Sequence, residues 1–167
     1  IENGRASRLT EDGAKCRAAA IDRYGRMIAV ALQDKDPRGN DALKFLVYDV
    51  GPETKHRELP YSIPISESDA HVRFTLLFRP GNRELVCFGN PGSRIDLVSV
   101  NRGRDRKLKG GASGEVVLAS CSPDGRILGI TTGVDNGGVT FTSQRVNLET
   151  GAVEIVEKDV TSVTGGR

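Results

Sequence analysis

Three short stretches hold the residues that could do chemistry. The first, QDKDPRGND at Gln33–Asp41, sets Asp34, Asp36, Asn40 and Asp41 around Gly39. A calcium ion takes roughly 6–8 oxygen ligands, and a carboxylate loop with an early glycine is one way to gather them. Counted from Asp34, however, the fifth position is Arg38 and the twelfth is Phe45 rather than glutamate. The expectation is therefore a solvated hairpin loop with a Pro-Arg-Gly turn and no metal. The second stretch, SESDAH, places Ser66, Ser68, Asp69 and His71 within six residues. A hydrolytic triad draws its nucleophile, base and orienting acid from separated elements, so this is expected to be a polar connector ahead of a strand at Val72–Phe78. The third, NRGRDRKLK at Asn101–Lys109, collects Arg102, Arg104, Arg106, Lys107 and Lys109. Such a patch suits phosphate or an acidic partner. No aromatic side chain interleaves for base stacking, so it is expected to be a charged sheet edge that resists strand addition rather than a nucleic-acid site.

The familiar catalytic signatures are missing. No GxxxxGK[ST], HExxH or GxSxG occurs, and the only histidines are His56 and His71. No catalytic residue, metal or cofactor is expected. Lys and Arg number 24 against 22 Asp and Glu, too even a balance to imply a polyanionic partner. Charged residues are 28% and apolar ones 37% of 167, a globular composition with chain enough for a core. No apolar run nears the roughly 18 residues that cross a bilayer, so no membrane partner is expected. IENGRASRLTEDG lacks a signal peptide's apolar segment and reads as a cut inside a longer protein. Cys16, Cys87 and Cys121 form no CxxC pair; they read as small buried hydrophobes in a reducing compartment, the cytoplasm.

The elements that must position these stretches are strands. CRAAAID, GRMIAVAL, LKFLVYDV, VRFTLLFR, RELVCFG, SRIDLVSV, EVVLASCS, GRILGITT and VTFTSQRVNL are short apolar and β-branched runs broken by Gly, Pro, Asn and Asp. No helical periodicity interrupts them. They also repeat. EVVLASC-SPDG-RILGI aligns with VRFTLLF-RPGN-RELVCF and with CRAAAI-DRYG-RMIAVAL. The last turn residues, Gly25, Asn82 and Gly125, lie 57 and 43 apart, and Asp49, Ser99 and Asn147 after the third strands lie 50 and 48 apart. That spacing is expected of propeller blades. Each unit reads as four strands, such as Cys16–Ile21, Arg26–Leu32, Ala42–Val50 and Lys55–Leu59. The first two are nearly all apolar, as expected of inner strands covered on both sides.

SPDGRIL, followed by a third strand ending in a Tyr-Asp or Val-Asn pair, resembles the WD-repeat and TolB-like β-propeller superfamily over roughly Ala14 to Glu157. The chain has no tryptophan, and Tyr48-Asp49, Val98-Ser99 and Val146-Asn147 stand where the WD dipeptide would be. RASRLTEDG resembles the outer strand of a preceding TolB-like blade. The fold class expected is all-β, an arc of about three four-stranded antiparallel blades and a fragment of a larger propeller, since a ring typically needs about 4–8 blades. The expected divisions are 1–13 as an outer strand (Arg5–Thr10) or linker from a preceding blade, 14–59 as blade one, and 60–71 as a crossover loop. Blade two follows at 72–110, blade three at 111–158, and 159–167 is a tail or the start of a next blade.

In such a blade the loop between strands two and three and the crossover to the next blade share one face; the SPDG-type turns take the other. The first unit's two long insertions, Gln33–Asp41 and Pro60–His71, therefore project side by side. Loops on a rigid scaffold commonly carry binding, so this face is the expected protein-binding surface: Asp34, Asp36, Arg38, Asn40, Asp41, Tyr61, Glu67, Asp69 and His71. The resemblance implies a non-catalytic scaffold segment that mediates protein–protein interaction. The alternative is an accessory substrate-gating propeller beside a prolyl oligopeptidase- or dipeptidyl-peptidase-like serine hydrolase domain. A small-molecule or sugar-processing propeller with a channel metal lacks the inward His and Asp it needs. Expected partners are a protein, and either the remaining blades of a parent propeller or further copies of the chain, because an open arc exposes apolar faces and edges.

Overall fold

Each strand pairs with the next one along the chain, and the turn residues dictate where the pairing reverses. A computed structural model describes residues 9–10, 14–51, 55–65, 73–81, 83–89, 94–101, 105–109, 115–135 and 139–161. Blade one is β1 (Lys15–Ile21), β2 (Met27–Lys35), β3 (Asp41–Asp49) and β4 (Lys55–Pro64). Blade two is β5 (Phe74–Arg79), β6 (Glu84–Gly89), β7 (Arg94–Ser99) and β8 (Asp105–Lys109). Blade three is β9 (Glu115–Cys121), β10 (Ile127–Asp135), β11 (Val139–Asn147) and β12 (Val153–Thr161). All three sheets are antiparallel and run in sequence order without a crossover. β1 packs beside β5, and β5 beside β9, so the first strands converge on one side as the inner edges of a propeller arc. The expected all-β class and the three four-stranded antiparallel blades are the ones observed.

The β1–β2 turn closes with Gly25 at φ 67° and the β9–β10 turn with Gly125 at φ 70°, a left-handed backbone open to glycine at little cost. In blade two the positive φ falls one place earlier, at Gly81 (76°), while Asn82 lies outside the described residues. Asp22 Oδ1 accepts from the amides of Arg26 (2.6 Å) and Met27 (2.9 Å). Ser122 Oγ does the same work in blade three, accepting from Ile127 N at 2.9 Å. Both side chains satisfy turn amides that would otherwise lack partners.

Two apolar layers hold the blades together. Ala29, Ala31, Leu43, Phe45 and Val47 of blade one meet Leu76, Leu85, Cys87 and Val98 of blade two. On the opposite side of blade two, Val86, Phe88, Ile95 and Leu97 meet Leu128, Ile130, Val146 and Leu148 of blade three. Blade two is apolar on both faces, because successive residues of β6 alternate between the two layers, Leu85 and Cys87 in one, Val86 and Phe88 in the other. A side chain such as Phe45 or Phe88 contributes about 1.5–3 kcal/mol by leaving water.

Three local expectations differ. The innermost strands β1 and β9 are mostly exposed, and Val117 and Leu118 are 61% and 63% exposed. β2, β3, β6 and β7 carry the core instead, and β5, the first strand with a neighbouring blade on each side, has no exposed residue, so coverage follows the adjacent sheets. Second, β4 runs through Pro64, so the start of the stretch read as a crossover is strand. Pro60 sits where the β3–β4 register slips between Lys44 and Leu46. An outermost strand with a bulge is where a sheet tolerates proline. Third, β12 extends through Thr161, pairing Asp159 with Phe141 and Thr161 with Val139. At the other end, Leu9 and Thr10 are not strand; the Leu9 carbonyl accepts from the Tyr48 hydroxyl.

Candidate functional site

Strand direction sets the two faces of the arc. β2 climbs to the Asp36–Asn40 loop and β4 climbs toward the link to blade two, so both end on one face, the crossover face. The Asp22–Arg26, Arg79–Arg83 and Ser122–Arg126 turns lie on the other, the turn face.

On the crossover face β2 runs on to Lys35 and β3 begins one residue earlier than expected, at Asp41, which shortens the free loop to Asp36–Asn40. The loop is rigidly built. Asp36 Oδ1 accepts from the amides of Arg38 and Asn40, both at 2.8 Å, and Gly39 takes φ 85°. Asn40 Nδ2 reaches Asp36 Oδ2 at 3.3 Å. Below the loop, Lys44 Nζ meets Asp34 at 2.6 Å and Lys35 Nζ meets Asp41 at 2.7 Å. All three carboxyls are held below their usual range, Asp34 chiefly by the Lys44 hydrogen bond, Asp36 by the Asn40 amide, and Asp41 by the Lys35 hydrogen bond. Each carboxylate is therefore committed to a cation or to its own loop, and Arg38 is left projecting. Among the described residues no cluster of three or more metal-ligating side chains occurs.

The rest of the expected face divides. Asp34 and Asp41 line a cleft of about 750 Å³ on the outer side of blade one, together with Lys15, Lys44, Tyr48 and Glu58. Tyr61 points elsewhere. Its ring stacks on Phe45 (6.2 Å, 14°) and its hydroxyl donates to Asp96 Oδ1 at 3.1 Å, tying blade one to a carboxylate only 2% exposed in blade two. Glu67, Asp69 and His71, and with them the SESDAH stretch, lie outside the described residues.

The basic stretch also divides. Arg106 donates from Nη1 to the Glu149 carbonyl at 2.8 Å and from Nη2 to the Leu148 carbonyl, so it binds blade two to blade three. Lys107 is exposed on β8, opposite Asp96 in register, and has a partner of its own. Lys109 ends β8 with its side chain outside the described residues, as are Arg102 and Arg104.

The strongest polar junction, centred on Arg79, was not legible as such in the sequence. Arg79 is 5% exposed at the end of β5. Its Nε donates to the Gly125 carbonyl at 2.5 Å, Nη1 to Glu84 at 2.8 Å, and Nη2 to Glu149. The available signal is positional. Asp22 and Ser122, small turn-capping residues, occupy this place in the other copies, and a guanidinium cannot cap its own turn.

Among the described residues the cysteines form no disulfide, and they are not alike. Cys87 is buried, Cys121 half-buried and Cys16 exposed, the last departing from the expected apolar interior because it lies on the open β1 edge. Burial pushes the Cys121 thiol up to about 11, against a smaller opposing effect of Arg79. Maleimide treatment of the native protein near neutral pH is expected to label Cys16 first and leave Cys87 and Cys121 largely unmodified; peptide mass spectrometry reads the order.

No family model and no curated protein sequence matches the chain. Solved structures do. A putative 6-phosphogluconolactonase from Bacteroides uniformis aligns with TM-score 0.53 and 16% identity, over 89% of this chain and 42% of the other. The Cps50 (Swd1) β-propeller domain from Myceliophteria thermophila aligns with TM-score 0.46 and 14% identity, over 86% of this chain and 57% of the other. The chain thus spans less than half of the lactonase structure, and likeness at such identity concerns the fold alone. No helix among the described residues is long and apolar enough to cross a membrane.

Proposed function

We propose that this arc is a non-catalytic scaffold segment that binds another protein through its crossover face. The observation that carries the reading is the Asp36–Asn40 loop, whose own carboxylate fixes the backbone on both sides of Arg38. A loop held in one conformation has less entropy to lose on binding. Arg38 stands beside no competing function, since the neighbouring acids are already engaged by Lys35 and Lys44. Cysteines outside any disulfide suit a reducing compartment such as the cytoplasm. The remaining blades of a longer propeller, or further copies of this chain, would cover the exposed Val117 and Leu118 on blade three.

The test is quantitative capture by the immobilised chain. Charge reversal at Asp34, Asp36, Glu67 and Asp69, and separately Arg38→Glu, which leaves the loop's hydrogen bonds in place, is expected to reduce recovery of a specific partner by about fivefold or more. Unchanged recovery by variants with the wild-type unfolding midpoint would show that the face is wrongly assigned.

A further inference from the structure

The arc's two seams use the same positions with different residues. Between blades two and three, Arg79 crosses to the Gly125 carbonyl and to Glu149, and the seam is closed. Register locates the counterparts in the seam between blades one and two. Asp22 N bonds Met27 O just as Ser122 N bonds Ile127 O, and Arg79 pairs with Glu84, so Asp22 takes the place of Arg79. Val100 N bonds Arg83 O as Leu148 N bonds Arg126 O, so Asn101 takes the place of Glu149. The first seam therefore lacks both the arginine that crosses and the acid that receives it. Asp22 folds back onto its own turn amides instead.

What remains is a cleft of about 660 Å³ on the turn face. Arg23, Arg26 and Arg83 line it, all exposed, and none has a carboxylate partner among the described residues. The acids in the lining are occupied, Asp22 by backbone amides and Asp49 by Arg57 at 2.8 Å. Tyr24, 65% exposed, stands between two of the cations, its ring centroid 4.6 Å from the Arg23 guanidinium and 5.6 Å from that of Arg26. We propose that this cleft docks a short acidic segment of a partner protein, whose carboxylates take between Arg83 and the Arg23–Arg26 pair the role that Glu149 takes in the closed seam. The site lies on the face opposite the Asp36–Asn40 loop and stands or falls independently of it. A peptide fits better than nucleic acid: the cleft is short, and Tyr24 is a single exposed ring rather than a stacking series.

Fluorescence anisotropy of the full chain with a fluorescein-labelled hexaglutamate peptide tests the proposal. Salt-sensitive binding is expected, weakened about tenfold by Arg83→Glu. Asn101→Glu removes no cation but supplies within the chain the acid that the seam lacks; it is expected to weaken binding as well. Both variants are compared at matched folding, judged by far-UV circular dichroism and the urea midpoint. Wild-type affinity in folded Arg83→Glu overturns the site, and wild-type affinity in Asn101→Glu overturns the seam argument. An oligothymidylate bound as tightly as hexaglutamate overturns the peptide assignment.

Discussion

Gly125→Ala is expected to cost about 3 kcal/mol in urea unfolding, against about 1 kcal/mol for Gly25→Ala. Both glycines have nearly the same left-handed φ, 70° and 67°, at the same place in homologous turns. A Cβ at Gly25 meets nothing, so alanine there bears only the backbone preference. At Gly125 the same atom would sit closer to the Pro80 carbonyl oxygen than real Cβ atoms sit to any neighbour, with Arg79 Cγ at 3.3 Å behind it. The obstacle is backbone from the adjacent blade, which cannot rotate away as a side chain can. Equal losses in the two variants would mean that the turns do not touch across the seam.

Arg79→Met is expected to be the other large loss, about 2–3 kcal/mol. The buried guanidinium serves three acceptors in different directions, and its removal leaves the Gly125 carbonyl and two acids without a cation. The figure falls below the roughly 3–5 kcal/mol of a fully buried pair because the Glu149 side chain is 55% exposed and Glu84 30%. Arg79→Lys should recover only a fraction, since an ammonium lacks the planar fork. Acid supplies a second readout. The hydrogen bond from Arg79 holds the Glu149 carboxyl below its ordinary 4.5, with the charges of Arg79, Arg106 and Arg126 acting in the same direction. A depressed folded value means that the contribution is complete above the unfolded value and is lost as pH falls through the folded one. The Tm difference between wild type and Glu149→Gln should therefore hold steady near neutrality and close as pH falls below the ordinary 4.5. A gap that persists in acid would remove the charge from the explanation.

How much of this was legible in the sequence depends on the range of the interaction. The SPDG, RPGN and DRYG turns announced the strand reversals because proline, aspartate and glycine act on their own backbone. The strands on either side followed, and so did the three-blade organisation. Burial was less legible. EVVLASC reads as a core strand, yet Val117 and Leu118 are exposed, because coverage depends on which sheet lies alongside and not on the residues themselves. Pro60 and Pro64 read as loop, although an outermost strand has a free side on which a missing donor does no harm. The candidate site was hardest. Asp34, Asp36 and Asp41 were visible as a group, but the pairing of Asp34 and Asp41 with lysines one strand away depends on register, while Asp36 turns onto its own loop. Arg106 looked like an exposed cation, and its use as a bridge to the Leu148 and Glu149 carbonyls depends on a neighbouring blade. Tyr61 moved from surface candidate to inter-blade strut for the same reason.

The sequential order of the sheets, each strand beside the next, bears on how the molecule reaches its native state. All-β proteins fold slowly when distant segments must meet before any ladder can form. Here each ladder can close from consecutive hairpins, each at the modest entropic cost of a short loop. A blade can then serve as a template for its neighbour, as units do in a linear repeat array. The search that remains is the docking of preformed sheets, and the rate-limiting event moves from strand pairing to the closing of a seam.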